Sequence, residues 1–306
     1  MRRILTAMLA MIFSLSSLFA QLPEGMDLSQ IDLSHVDFSA FMQDPLSQPE
    51  NDKYEIRRQD CTLPDGCNIY GIAYIPKGGN GKYPTLILSH GFGASHSALM
   101  GYGQHLAAQG IAVYTYDFSG GSNFSKSEGD IKQMSILTEA DQLRSIFKQV
   151  QQMDFVDKKN IFISGESQGG MVSAMVGPEI QKKIRGMILL YPALNIPVAN
   201  EAMFPDVNNI DMSKQPMFLW VPVSDKYVIE SRQVNVTPLK LAFKKPVLII
   251  HGDNDSLVPI EYSYQAVKDY PKSSLKVIKG AGHGFGGETL SEATGYMIPF
   301  IKANVK

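Results

Sequence analysis

Three residues of this 306-residue chain have the types and surroundings that nucleophilic acyl chemistry requires: Ser167, Asp255 and His283. A serine hydroxyl attacks a carbonyl only when a base takes its proton and a third group orients that base. Ser167 lies in Gly165-Glu166-Ser167-Gln168-Gly169-Gly170, a G-x-S-x-G pattern. His283, in Gly280-Ala281-Gly282-His283-Gly284-Phe285, is the one histidine of six with glycine on both sides, so its loop is free to carry the imidazole over the serine. The acid is expected after the preceding strand, in His251-Gly252-Asp253-Asn254-Asp255-Ser256-Leu257-Val258-Pro259. Asp255 is the choice there. Asp253 sits closer to the strand end and is assigned to capping the turn, and Asp225 is a weaker rival. Negative charge developing on a carbonyl oxygen needs two N–H donors. The backbone amides of Gln168 and of Phe92, in His90-Gly91-Phe92-Gly93, are the expected pair.

The elements around these residues can hold them together. Ile161-Phe162-Ile163-Ser164 reads as a buried strand, and Met171 to Val176 as the apolar start of a helix. The serine therefore stands at a strand–turn–helix apex, where side chains at Gly165 and Gly169 would collide with the adjoining strand and helix. The helix N-terminus beside it favours negative charge. Elsewhere, strands are expected at 54–60 and 68–75 (antiparallel, around Pro64-Asp65-Gly66), and at 85–88, 111–116, 187–191, 246–251 and 275–279. Helices are expected at 97–109, 136–150, 260–269 and 288–303. The alternation implies an α/β fold: a mostly parallel sheet covered on both faces, with ligands at the C-terminal ends of the strands. The candidate motifs all sit at such ends, Asp225 alone lying in the long insertion. Residues 194–240 interrupt the rhythm with Pro197, Pro205, Pro216, Pro222 and Pro238, and a connection of that length inside a domain is usually functional.

Composition narrows the setting. A hydrophobic share of 44% with 19% charged residues is that of a globular protein, and a net charge of −2 without a basic stripe excludes nucleic acid as a partner. Met1-Arg2-Arg3, an apolar run to Leu18 and a small residue at Ala20 read as a signal peptide over 1–20, too short to span a bilayer. The expected location is secreted or periplasmic, with a mature charge of −4 and no stable membrane anchor. Residues 21–50 form a tail with three five-residue copies beginning at Asp27, Asp32 and Asp37, and the folded domain is expected over 51–306. Cys61 and Cys67 flank turn chemistry. A tight hairpin would set Cys61 opposite Tyr70, so a disulfide between them needs a longer loop or a bulge and stays open. No phosphate-binding glycine loop and no metal-ligand spacing is present, and no cofactor is implied.

From about 52 to 303 the chain resembles the α/β-hydrolase superfamily, and within it the feruloyl/cinnamoyl esterases. The resemblance rests on Ser89-His90-Gly91-Phe92-Gly93, Tyr116-Asp117-Phe118-Ser119-Gly120, Met134-Ser135-Ile136-Leu137-Thr138-Glu139, Gly165 to Gly170, and Gly280 to Phe285. It implies Ser167 as nucleophile, Asp255 as acid and His283 as base. It also implies that the insertion between the sixth and seventh core strands, here 194–240, forms a lid over the acyl group. The lid carries Phe204, Phe218, Trp220 and Tyr227, of which Trp220 and Tyr227 are the candidates for an aromatic acyl pocket. Glu166 departs from the family, standing where many relatives have histidine. The expected activity is a serine carboxylesterase acting on a small-molecule or polysaccharide-linked ester. The rivals are a prolyl-oligopeptidase-like peptidase, for whose extra N-terminal domain 21–50 is too short, an acyltransferase, and a catalytically silent binding protein.

Overall fold

The structure, a computed structural model, describes residues 43–211 and 221–306. The expected signal peptide, the three pentapeptide copies, Phe218 and Trp220 lie outside the described residues.

Alternation along the strands builds the core. The strands are β1 (Tyr54–Arg58), β2 (Cys61–Thr62), β3 (Asn68–Ile69), β4 (Gly71–Pro76), β5 (Tyr83–Ser89), β6 (Ala112–Tyr116), β7 (Val156–Glu166), β8 (Gly186–Leu190), β9 (Val247–Gly252) and β10 (Ser273–Ile278). Eight of them form one sheet in the order β1-β4-β6-β5-β7-β8-β9-β10, while β2 and β3 pair separately. β1 and β4 run antiparallel, and β6 through β10 are parallel to β5. Successive side chains of a strand point to opposite faces. Ile87, Ile163, Leu189 and Ile249 therefore join one buried cluster, and Leu86, Phe162, Ile188 and Ile250 the other. Strands buried on both faces need helices on both.

The helices supply that cover. They are α1 (Met100–Ala107), α2 (Ile136–Val150), α3 (Ser167–Ile180), α4 (Ile196–Met203), α5 (Asp225–Ser231), α6 (Val236–Ala242), α7 (Glu261–Asp269) and α8 (Gly287–Asn304). Leu106 of α1 and Met297 and Ile301 of α8 pack on one face. Ile136, Leu143 and Phe147 of α2 and Met171 and Val172 of α3 pack on the other. The start of α2 is fixed by its sequence: Ser135 Oγ accepts the Thr138 N–H at 3.1 Å, and Thr138 Oγ1 accepts the Ser135 N–H at 2.8 Å, a reciprocal cap.

Two points left open by the sequence are answered, and one expectation is corrected. The hairpin around Pro64-Asp65-Gly66 has three loop residues, closed by the Leu63 N–H on Cys67 O (2.9 Å) and turned by Gly66 at φ +91°. That extra residue moves the register by one, so Cys61 faces Ile69 and not Tyr70. Both cysteines are free thiols: Cys61 Sγ meets the Tyr114 hydroxyl at 3.2 Å, and Cys67 Sγ lies 3.3 Å from Glu128 O. Finally, the 194–240 insertion is not irregular throughout. Its described part holds α4, α5 and most of α6.

Candidate active site

The turn between β7 and α3 is built by glycine. A Cβ on Gly165 would lie 2.1 Å from Gly169 O, and one on Gly169 would lie 2.5 Å from the carbonyl oxygens of both Ser89 and His90. Backbone packed this closely puts Ser167 at φ +50°, a left-handed conformation that costs a non-glycine residue on the order of 1 kcal/mol or more. The collisions expected from the sequence are those found: strand β5 on one side, helix α3 on the other.

The apex carries Ser167 Oγ to 2.9 Å from His283 Nε2, and His283 Nδ1 lies 2.7 Å from Asp255 Oδ2. A carboxylate only accepts, so the Nδ1 proton faces Asp255 and leaves Nε2 to accept the serine hydroxyl. Asp255 has no exposed side-chain surface. Burial alone would raise its pKa. Hydrogen bonds from His251 and His283, with the Val258 N–H, outweigh that and hold the carboxyl far below the usual range. The other acids stand elsewhere. Asp253 accepts the Gly280 N–H and ties the two loops together, while Asp225 is exposed at the start of α5 and bonds the Lys226 N–H.

Sequence reasoning assigned no role to His251, which lies four residues before Asp255 at the end of β9. Its Nε2 faces two acceptors, Asp255 Oδ2 at 3.1 Å and Val258 O at 3.0 Å, so Nε2 carries the proton. Its Nδ1 takes the Ser263 hydroxyl at 2.7 Å. One carboxylate oxygen is thus held between two imidazoles.

The loop after β5 closes on Ser167. A Cβ on Gly91 would sit 3.2 Å from Ser167 Cβ. His90 is buried, its Nε2 accepting the Phe118 N–H at 3.0 Å, which braces the loop from behind. Gln168 is the second residue of α3, so its N–H takes no part in the helix ladder. Phe92 is half-buried, and its ring meets that of Tyr227 at 5.5 Å, edge to face.

Two further carboxyls are bonded into the site. Glu166 accepts the Tyr191 hydroxyl at 2.6 Å and the Gly91 N–H at 3.4 Å. Burial raises its pKa, and the Tyr191 and Gly91 hydrogen bonds offset part of that rise. Tyr191, at φ +35°, packs its ring edge-on against His283 at 4.9 Å. Glu139, from α2, accepts the Gln168 side-chain amide at 2.9 Å, and burial pushes its carboxyl up to about 8. Of the lid aromatics, Phe204 and Tyr227 are buried. No cluster of metal-ligating side chains occurs among the described residues.

A parallel sheet with a serine on a strained strand–helix turn, a histidine above it and an acid behind is the architecture of an α/β hydrolase. The chain belongs to the serine aminopeptidase family S33, whose family model matches residues 82–237. That span includes Phe92, Ser167 and Gln168 and ends before Asp255 and His283. A proline iminopeptidase of Chitinophaga pinensis is 28% identical over 112 residues, 37% of this chain and 36% of that protein, so the match spans little more than a third of the relative's length. Among solved structures, Est1E of Butyrivibrio proteoclasticus with ferulic acid bound is 23% identical, with a TM-score of 0.69 over 81% of this chain and 98% of that one. A Pyrococcus furiosus esterase is 22% identical, with a TM-score of 0.62 over 83% and 92%. At these identities the likeness is one of fold.

Proposed function

We propose that the protein is a serine carboxylesterase. The observation that carries this reading is the continuous hydrogen-bonded line from Asp255 through His283 to Ser167, at 2.7 and 2.9 Å, on an elbow whose serine is held left-handed. Ser167 Oγ attacks the ester carbonyl as His283 Nε2 takes its proton. Asp255 fixes the imidazole tautomer and stabilises its charged form. The Phe92 and Gln168 amides receive the oxyanion. His283 returns the proton to the leaving alcohol, and water releases the acid by the same route.

Hydroxycinnamoyl esters, free or on plant polysaccharide, are the substrate class we put forward. The ferulic acid bound by Est1E, the Met134-to-Glu139 stretch and the aromatic pair Phe92 and Tyr227 support it. Export is part of the same reading, on the strength of residues 1–20.

The family match and the proline iminopeptidase relative favour a second reading, an aminopeptidase. That activity needs a carboxylate for the substrate's ammonium group. Glu139 and Glu166, the carboxyls bonded into this site, are buried as well as hydrogen-bonded within the protein, which favours the ester. Hydrolysis of methyl ferulate, p-nitrophenyl acetate and prolyl-p-nitroanilide, measured side by side, tests the choice. Ferulate turnover matching or exceeding acetate is expected. Turnover of the anilide alone overturns the esterase reading, and turnover of acetate without ferulate overturns the acyl assignment.

A further inference from the structure

Gln168 and Phe92, whose backbone amides are assigned above to the oxyanion, come from different elements, one at the head of α3 and one in the loop after β5. Their side chains meet a single lid residue. Tyr227, on α5, donates its hydroxyl to Gln168 Oε1 at 2.6 Å and sets its ring edge against Phe92 at 5.5 Å. Tyr227 is 2% exposed and Gln168 1%. A buried amide leaves little freedom when both its ends are bonded, and the far end is bonded too: Gln168 Nε2 donates to Glu139 Oε2 at 2.9 Å. The Gln168 side chain is thus stretched between a core helix and a lid helix.

The lid helix is itself tied down on the same side of the molecule. Ser224, immediately before α5, donates to Lys132 O at 2.6 Å. Glu230 of α5 accepts the Ser135 hydroxyl at the cap of α2 and pairs with Lys226. Tyr227 lies between these two anchors.

From this convergence we propose that Tyr227 is a positioning residue of the oxyanion hole: through its hydroxyl and its ring the lid helix sets the placement of both backbone donors. The proposal rests on the serine-hydrolase reading above. It makes the lid part of the machinery for every acyl group, including those too small to reach it. A Tyr227 that only lines an acyl pocket would act on large substrates alone.

The test uses Tyr227→Phe, which keeps the ring and removes the hydroxyl, and Gln168→Leu, which removes the acceptor while keeping the backbone amide. Two readouts are taken on the full chain: kcat and KM for p-nitrophenyl acetate, and the rate constant for phosphonylation of Ser167 by a fluorophosphonate. Each variant is expected to lower kcat and the phosphonylation rate roughly tenfold with KM little changed, the scale of one buried hydrogen bond. The double variant is expected to lose no more than Gln168→Leu alone, because that variant already breaks the Tyr227 bond together with the one to Glu139. Acetate turnover and labelling by Tyr227→Phe equal to wild type would overturn the proposal. So would a double variant whose losses multiply beyond those of Gln168→Leu when rates are expressed per Ser167 titrated by the fluorophosphonate. A wild type that takes no label at Ser167 overturns the serine-hydrolase reading and this inference with it, whereas a labelled wild type with an unchanged Tyr227→Phe overturns this inference alone.

Discussion

At the scale of single residues, the hydrogen-bonding roles are set by what each neighbour can accept. Asp255 Oδ2 takes N–H bonds from two imidazoles while Oδ1 takes the Leu257 and Val258 N–H groups at 2.9 Å each. Replacing Asp255 by Asn puts a donor where His283 Nδ1 needs an acceptor, and kcat is expected to fall by about 10³–10⁴ with the fold intact. His251→Ala leaves Asp255 with His283 and two backbone donors, so a smaller loss in kcat, roughly tenfold, is expected. Steady-state kinetics on p-nitrophenyl acetate measure both. Asp255 rather than Asp253 lies beside His283, but the sequence-based ground for that preference does not hold: Asp255 Oδ1 caps its own turn through the Leu257 and Val258 N–H groups, while Asp253 reaches across to the Gly280 N–H of the neighbouring loop. His251, Glu139 and Glu166 were not legible as partners. The bonds of Glu166 and Glu139 join elements 75 and 29 residues apart in sequence, which one sequence does not pair, and His251, though only four residues from Asp255, reads as the ordinary end of a buried strand.

At the scale of elements, the turn between β7 and α3 is the most constrained. Gly165→Ala would drive a Cβ to 2.1 Å from Gly169 O, backbone against backbone, which nothing flexible relieves. The variant is expected to lose at least 3 kcal/mol of stability, or to fail to accumulate as folded protein, in chemical denaturation. Here the sequence reads well because sterics permit glycine and little else, and because the flanking strand and helix have strong patterns. The lid reads poorly for the opposite reason. α4, α5 and α6 have eight, seven and seven residues, too few for a helical period to show and too few to be stable alone, so packing rather than propensity maintains them. The hairpin register stayed open because the sequence does not say whether Gly66 turns left-handed and makes the loop three residues long instead of two.

At the scale of the whole molecule, buried carboxyls of two kinds bracket the pH range of stability. Glu139 is pushed up to about 8, with Gln168 and the Tyr116 and Tyr227 hydroxyls as its polar surroundings, and Glu166 is also raised. The native protein keeps these protons where the unfolded chain has released them, so stability falls as pH climbs from about 4.5 towards 8. For Glu139 the effect is on the order of 5 kcal/mol as an upper bound. Asp255 and Asp117 are held low by their histidine partners against the cost of burial, so their contribution is present above about 4 and is lost in acid. Thermal unfolding is therefore expected to give a higher Tm at pH 5 than at pH 8, and Glu139→Gln to flatten that slope. A Tm that rises from pH 5 to 8 in the wild type would contradict these environments. Because Cys61 and Cys67 are free thiols, a reducing agent is expected to leave Tm unchanged.

Whether Ser167 is the nucleophile is the claim on which the account turns, and covalent labelling by a fluorophosphonate followed by peptide mapping tests it most directly. One adduct per chain is expected on the peptide bearing Ser167, with no adduct in Ser167→Ala and loss of ester hydrolysis in step with labelling. Absence of label from the folded protein, an adduct on another residue, or a Ser167→Ala variant that still turns over p-nitrophenyl acetate at the wild-type rate would contradict it.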